Sequence, residues 1–212
     1  MKVYQTNEIR NIVLIGGAKT GKTTLAESML FEGGVIKRRG SVDEKNTVSD
    51  YREIELERQN SVSSTVLYTI CKDKKINFID TPGFDDFIGE VISSLYVADT
   101  AVLVVNAQNG VEVGTEIHSR WLEKFNKPAV VVINKCDHDH ANFEKAFETV
   151  KESLGSDVVL AQYPVNAGPG FDSIVDIILF KLFKYPKGGG KPEITDIPDS
   201  DMDRAEELRN EL

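Results

Sequence analysis

Cysteine is scarce in this 212-residue chain. Cys71 and Cys136 are the only two, too few and too far apart in sequence for a disulfide framework, which excludes the small stapled secreted scaffolds and suits a reducing cytoplasm. Long apolar runs are also missing. Stretches such as Ala101–Val105 fall far short of a membrane span, and the polar, mixed-charge start of the chain lacks a signal-peptide core, so a soluble, cytoplasmic protein with no membrane partner is expected. Basic charge is in deficit: 25 Lys and Arg against 34 Asp and Glu leave a net charge of −9 and a pI near 4.9. Lysine and arginine supply most sequence-independent nucleic-acid affinity by releasing counterions, so direct DNA binding is not expected and any RNA contact must be local. There is no internal repeat, and low complexity is confined to Gly188–Gly190.

What is present is 41% hydrophobic residues, enough to bury one good core and an appendage. Apolar runs alternate with amphipathic stretches. Asn11–Ile15, Lys75–Asp80, Ala101–Asn106 and Ala129–Asn134 read as strands buried on both faces; Thr24–Leu30, Gly89–Ala98, Thr115–Phe125 and Ala141–Leu154 have helical spacing. That order predicts βαβ units and a mostly parallel sheet of the six-stranded type with helices on both faces. Thr65–Cys71 followed by Ile76–Ile79 reads as a hairpin that adds one antiparallel edge strand. The polar stretch Glu32–Ser64 is too long for an idle loop, Phe171–Tyr185 fits either strand or helix, and the acidic tail has a helical pattern from Met202.

Gly16-Gly17-Ala18-Lys19-Thr20-Gly21-Lys22-Thr23 matches G-x-x-x-x-G-K-[ST] between a strand and a helix, the context in which this motif wraps phosphates with backbone N–H groups. Lys22 is placed to reach the outer phosphates and the Thr23 hydroxyl to ligate Mg²⁺. Asp80 ends a strand and precedes Thr81-Pro82-Gly83, as expected of a carboxylate serving the metal and a glycine N–H meeting the γ-phosphate. Asn134-Lys135-Cys136-Asp137 ends another strand, where open parallel sheets bind ligands. Asp137 can accept from the N1 and N2 donors of guanine, Asn134 can pair with its other edge, and the Lys135 stem can cover the ring. Adenine would leave a buried carboxylate unmatched, so the expected cofactors are GTP/GDP with Mg²⁺. His138 and His140 form a His-x-His pair with no third ligand nearby, and a solvated loop is the expected reading.

These residues resemble those of the translational GTPases, elongation factor G most of all, over nearly the whole chain. The resemblance implies a P-loop NTPase fold of the Ras-like G-domain type over residues 1–160. Residues 161–212 are expected to be the start of a β-rich inserted subdomain, truncated at the C-terminus, which favours strands in Phe171–Tyr185. Asp50-Tyr51 and Glu53 to Arg58 are similar to the family's D-W-x-E-x-E-x-E-R segment, and Arg58-Gln59-Asn60-Ser61-Val62 to its R-G-I-T-I switch. The implied metal set is therefore Thr23, Ser61 and Asp80. The implied nucleotide contacts are residues 16–24 (Gly16 through Thr24), Gly83, Asn134, Lys135 and Asp137. The implied function is translocation on the ribosome, reached through a longer parent, with the fragment itself monomeric.

Departures from the family fall on positions it uses for hydrolysis. Phe84 stands where the family has the histidine that positions the attacking water, and a phenyl ring neither donates nor accepts a hydrogen bond. Lys19 stands for the aspartate associated with a monovalent cation, and its ammonium could replace that cation or extend into solvent. Ala18 and Asn60 replace the hydrophobic gate, and Gln59 the switch glycine. The catalytic group is thus unknown, and three readings stay open: a switch run by GTP occupancy with impaired hydrolysis, an active GTPase using Lys19, Gln59 or a ribosomal group, and a ribosome-protection GTPase. The chemistry favours the first, because phosphoryl transfer relies on positioning.

Overall fold

The branched residues at the end of Ile9–Ile15 drive strand β1 into the centre of a sheet, where Val13, Leu14 and Ile15 are wholly buried. The computed structural model describes residues 2–187 and 190–212, in two compact units: Met1–Val105 with Val111–Asn134, and Asn106–Gly110 with Lys135–Leu212. The first unit holds β1, α1 (Lys22–Glu32), α2 (Glu53–Arg58), β2 (Thr65–Cys71), β3 (Lys74–Asp80), α3 (Ile88–Val97), β4 (Thr100–Asn106), α4 (Val113–Phe125) and β5 (Ala129–Asn134). Sheet order is β2-β3-β1-β4-β5. Strands β3 and β4 both run parallel to β1, and β2 pairs antiparallel with β3. The β2–β3 connection is the two-residue turn Lys72-Asp73, both at positive φ, as the twist of a tight hairpin demands.

Helix α1 lays Ala26 and Leu30 on Phe78, Leu67 and Leu14, a buried apolar cluster beneath the C-terminal ends of the strands. Those ends are where parallel sheets place their ligands. The register sets Leu14 opposite Asp80 and Ile15 opposite Leu103, so the loop after β1 and the carboxylate ending β3 emerge side by side.

The second unit contains α5 (Phe143–Leu154), an antiparallel meander β6-β7-β8-β9 (Gln162–Pro164, Ser173–Asp176, Lys181–Lys184, Glu193–Thr195) and α6 (Asp199–Glu211). Asn142 caps α5 by accepting from the Lys145 N–H at 3.0 Å. Helix α6 seats Ala205 in the interior, and Arg204 spans the Tyr163 ring and Glu144.

Several expectations need correction. Among the described residues the central sheet has five strands, not six, and the apolar 129–134 run is not buried on both faces: Val130 is 57% exposed, because β5 is the last strand on its side of that sheet. The tail helix begins at Asp199, three residues before Met202. Phe171–Tyr185, by contrast, holds strands β7 and β8, as the resemblance led us to expect. The 188–190 glycine run falls largely outside the described residues. The long 32–64 stretch is not featureless either, since it contains α2, which short, charge-dominated Glu53–Arg58 did not advertise.

Candidate functional site

Strand β1 ends at Ile15, and the chain turns at once into the glycine-rich loop. Gly16 has φ 135°, and a Cβ there would lie 2.3 Å from the Val104 carbonyl oxygen, so no other residue fits against β4. Gly21 has φ 98° and starts α1 in a left-handed turn. Within the loop, the Thr20 hydroxyl donates to the Gly17 carbonyl at 3.0 Å, and Asn134 Nδ2 donates to the Thr20 carbonyl at 2.9 Å. The Lys22 ammonium is buried and donates to the carbonyls of Gly16 and Gly17, both at 2.8 Å. Burial pulls its pKa down to about 8, against the pull of Asp80 and Asp50. Gly83 comes in from the other side: a Cβ there would sit 2.4 Å from Lys22 Nζ and 2.7 Å from the Gly17 oxygen.

The three expected metal ligands converge. Thr23 Oγ1 lies 3.3 Å from Ser61 Oγ, and Asp80, wholly buried, accepts from the Ser49 hydroxyl at 2.7 Å through Oδ2. Sequence reasoning placed Asp50 in a switch segment without connecting it to the metal; the fold brings it here, 4% exposed. Both Asp50 oxygens and Asp80 Oδ1 are buried without a hydrogen-bond partner. Burial raises both carboxyls above the ordinary range, Asp50 to about 6, eased by the neighbouring Ser61 hydroxyl and reinforced by Asp80. Two hydroxyls and unpartnered carboxylate oxygens are the hard donors that Mg²⁺ selects, so these residues fit that ion.

Two further acids missed by sequence reasoning organise the 32–64 stretch. Glu27 of α1, 1% exposed, accepts the N–H groups of Gly40 and Val48. Glu55 of α2, equally buried, accepts those of Val62 and Ser63, next to Ser61. A buried glutamate inside an otherwise charged helix pattern leaves no mark in the sequence that separates it from a solvated one.

The remaining expected residues are less engaged. Lys19 and Thr24 are exposed, Lys19 at φ 61°, and Ala18 lies half-buried against Gly83. Gln59, also exposed and left-handed, reaches the Asp43 carbonyl at 3.5 Å. Phe84 is 39% exposed at the entrance to the turn Asp85–Phe87. Asn134 closes the first unit; Lys135, at φ 61°, and exposed Asp137 begin the second, with Cys136 buried between them. His138 and His140 are exposed.

Residues 7–197 match the family model described as the elongation factor Tu GTP binding domain. The chain belongs to that family. As a GTP-binding domain it is also similar to two curated relatives, both elongation factor G. That of Petrotoga mobilis is 36% identical over 212 residues, covering 100% of this chain and 30% of the relative. That of Granulibacter bethesdensis is 36% identical over 214 residues, covering 100% and 31%. A solved structure from Thermus thermophilus superposes with a TM-score of 0.89 at 30% identity, over 96% of this chain and 30% of that one. The GTP-binding domain thus spans less than a third of the length of each of these proteins.

Proposed function

We propose that this chain is the nucleotide switch of an elongation factor G-like translation factor, acting in translocation on the ribosome through a longer cytoplasmic parent, and that it works by GTP occupancy with impaired hydrolysis. The supporting observation is a contrast within one site. The phosphate and metal side is fully equipped, whereas Phe84 brings no polar atom to the position that handles the attacking water. We place the boundary between G domain and inserted subdomain at 160/161, with the domain monomeric and without DNA or membrane partners.

In this reading the loop of residues 16–24 wraps the phosphates, Lys22 neutralises them, and Asn134, Lys135 and Asp137 select guanine. Thr23, Ser61 and Asp80 would hold Mg²⁺, which would supply neutralisation of phosphate charge, and the buried Asp50 would add negative charge beside them. Gly83, pressed on Lys22 and Gly17, links the nucleotide to the segment that follows Asp80, and Glu27 and Glu55 do the same for residues 32–64.

Single-turnover GTP hydrolysis by the full-length parent on ribosomes tests this, beside GTP binding by the domain with ATP as competitor. Binding without phosphate release, and a gain in release on Phe84→His, are expected. Rapid release by the unaltered parent would favour the active-GTPase reading and point to Lys19, Gln59 or the ribosome. Equal preference for GTP and ATP would overturn the base-recognition argument.

A further inference from the structure

The first turn of the phosphate loop is held from behind by a residue that no motif includes. Helix α4 packs its N-terminal turns on it: a Cβ on Gly114 would sit 3.5 Å from Gly17 Cα, and one on Gly17 would sit 3.4 Å from Thr115 Oγ1. One turn on, at i+4 from Gly114, His118 is 0% exposed, and its Nδ1 accepts the Gly16 N–H at 2.8 Å. Three consecutive peptides are therefore fixed in series. His118 holds the one joining Ile15 to Gly16 by its N–H, and Lys22 grips the next two by their carbonyls. Gly16 and Gly17 have no side chains with which to hold themselves, and glycine's freedom makes an external anchor matter most here.

We propose that His118 is a positioning residue for nucleotide binding: by accepting the Gly16 N–H it sets the orientation of the peptides that cradle the phosphates and seat Lys22. The proposal rests on the GTP-binding reading of the site. Packing alone does not account for an imidazole at this position. The site is sealed, so an aliphatic side chain would fill it without polar atoms, whereas histidine leaves Nε2 buried with no hydrogen-bond partner. The bond also dictates the tautomer, with the proton on Nε2 and the lone pair on Nδ1, and burial together with the Lys22 charge keeps the ring neutral, its pKa lowered to about 4.

The test compares His118→Asn with His118→Gln in the 212-residue chain. Asparagine keeps an acceptor near the position of Nδ1; glutamine, equally polar, moves it one bond further. Affinity for a fluorescent GDP and a fluorescent GTP is titrated for each, and the melting temperature is read without nucleotide. We expect His118→Asn to bind within about twofold of the unaltered chain and His118→Gln and His118→Val about tenfold more weakly, the factor corresponding to roughly one net hydrogen bond. The loss should be the same for GDP and GTP, because both use the same cradle. In the nucleotide-free unaltered chain, the ¹⁵N shift of His118 should report an unprotonated, hydrogen-bonded Nδ1. Equal affinity of the asparagine and glutamine variants, or a His118→Val variant that binds like the unaltered chain, overturns the proposal. Failure of the unaltered chain to bind either nucleotide overturns the GTP-binding reading, and this role with it.

Discussion

Acidification should destabilise this domain through His118. An unfolded histidine titrates near 6.5, and burial with the nearby Lys22 charge lowers His118 to about 4 in the fold. Between those two values the unfolded chain binds a proton that the folded one refuses. The stabilisation by neutral His118 is therefore complete above about pH 6.5 and is lost as pH falls toward 4. From pH 7 to pH 5 the linkage relation gives a loss of about 2 kcal/mol, rising to roughly 3 kcal/mol near pH 4. Against a typical total of about 5–15 kcal/mol this is a large share, and urea unfolding followed by circular dichroism resolves it. Carboxylates titrate over the same interval, so the informative quantity is the difference between the unaltered chain and His118→Asn, in which all other groups cancel. The two stability curves should be offset by a gap that changes by about 2 kcal/mol between pH 7 and 5. Parallel curves would mean that His118 is protonated as readily in the fold as out of it, and the buried, neutral imidazole that accepts through Nδ1 would be refuted.

Gly83→Ala should place a methyl against Lys22 Nζ and the Gly17 oxygen, costing about 1–3 kcal/mol in overpacking unless the segment after Asp80 lifts off the loop; either way GTP affinity drops, as fluorescence titration would register. Asp50→Asn removes a buried carboxyl raised to about 6 by burial, so in EDTA at pH 7.5 the variant should be more stable by roughly 1–2 kcal/mol after allowance for screening. The same variant should need more Mg²⁺ to bind GTP tightly, and a destabilised Asp50→Asn would sink the account of this pair. Asn142→Ala loses the cap of α5 and should lower stability by about 1 kcal/mol without altering guanine selectivity, checked by urea unfolding and GTP/ATP competition.

Legibility from sequence followed the range of the interaction. The strand after Arg10, the glycine-rich loop, the Asp80 turn and the 134–137 element were readable because each is a local pattern whose chemistry is carried by contiguous residues. Element boundaries moved by up to three residues at helix starts, as at Val113 and Asp199, whereas the end of α4 fell at Phe125 as expected, ahead of left-handed Asn126. The β5 run shows the opposite limit: Ala129–Ile133 has the composition of an interior strand, and its place at the end of the strand order leaves Val130 exposed.

By itself, the sequence supplied the patterns on which the proposed chemistry rests: a G-x-x-x-x-G-K-[ST] loop, an acid at a strand end, the Asn134-Lys135-Cys136-Asp137 element, and Phe84 following Gly83. Those are statements about side chains and their spacing along a chain, and they survive without coordinates. Only the tertiary structure decided which distant residues complete that chemistry, because a hydrogen bond across 102 positions from Gly16 to His118, or an unpartnered Asp50 beside Asp80, depends on strand order and helix packing rather than on any local pattern.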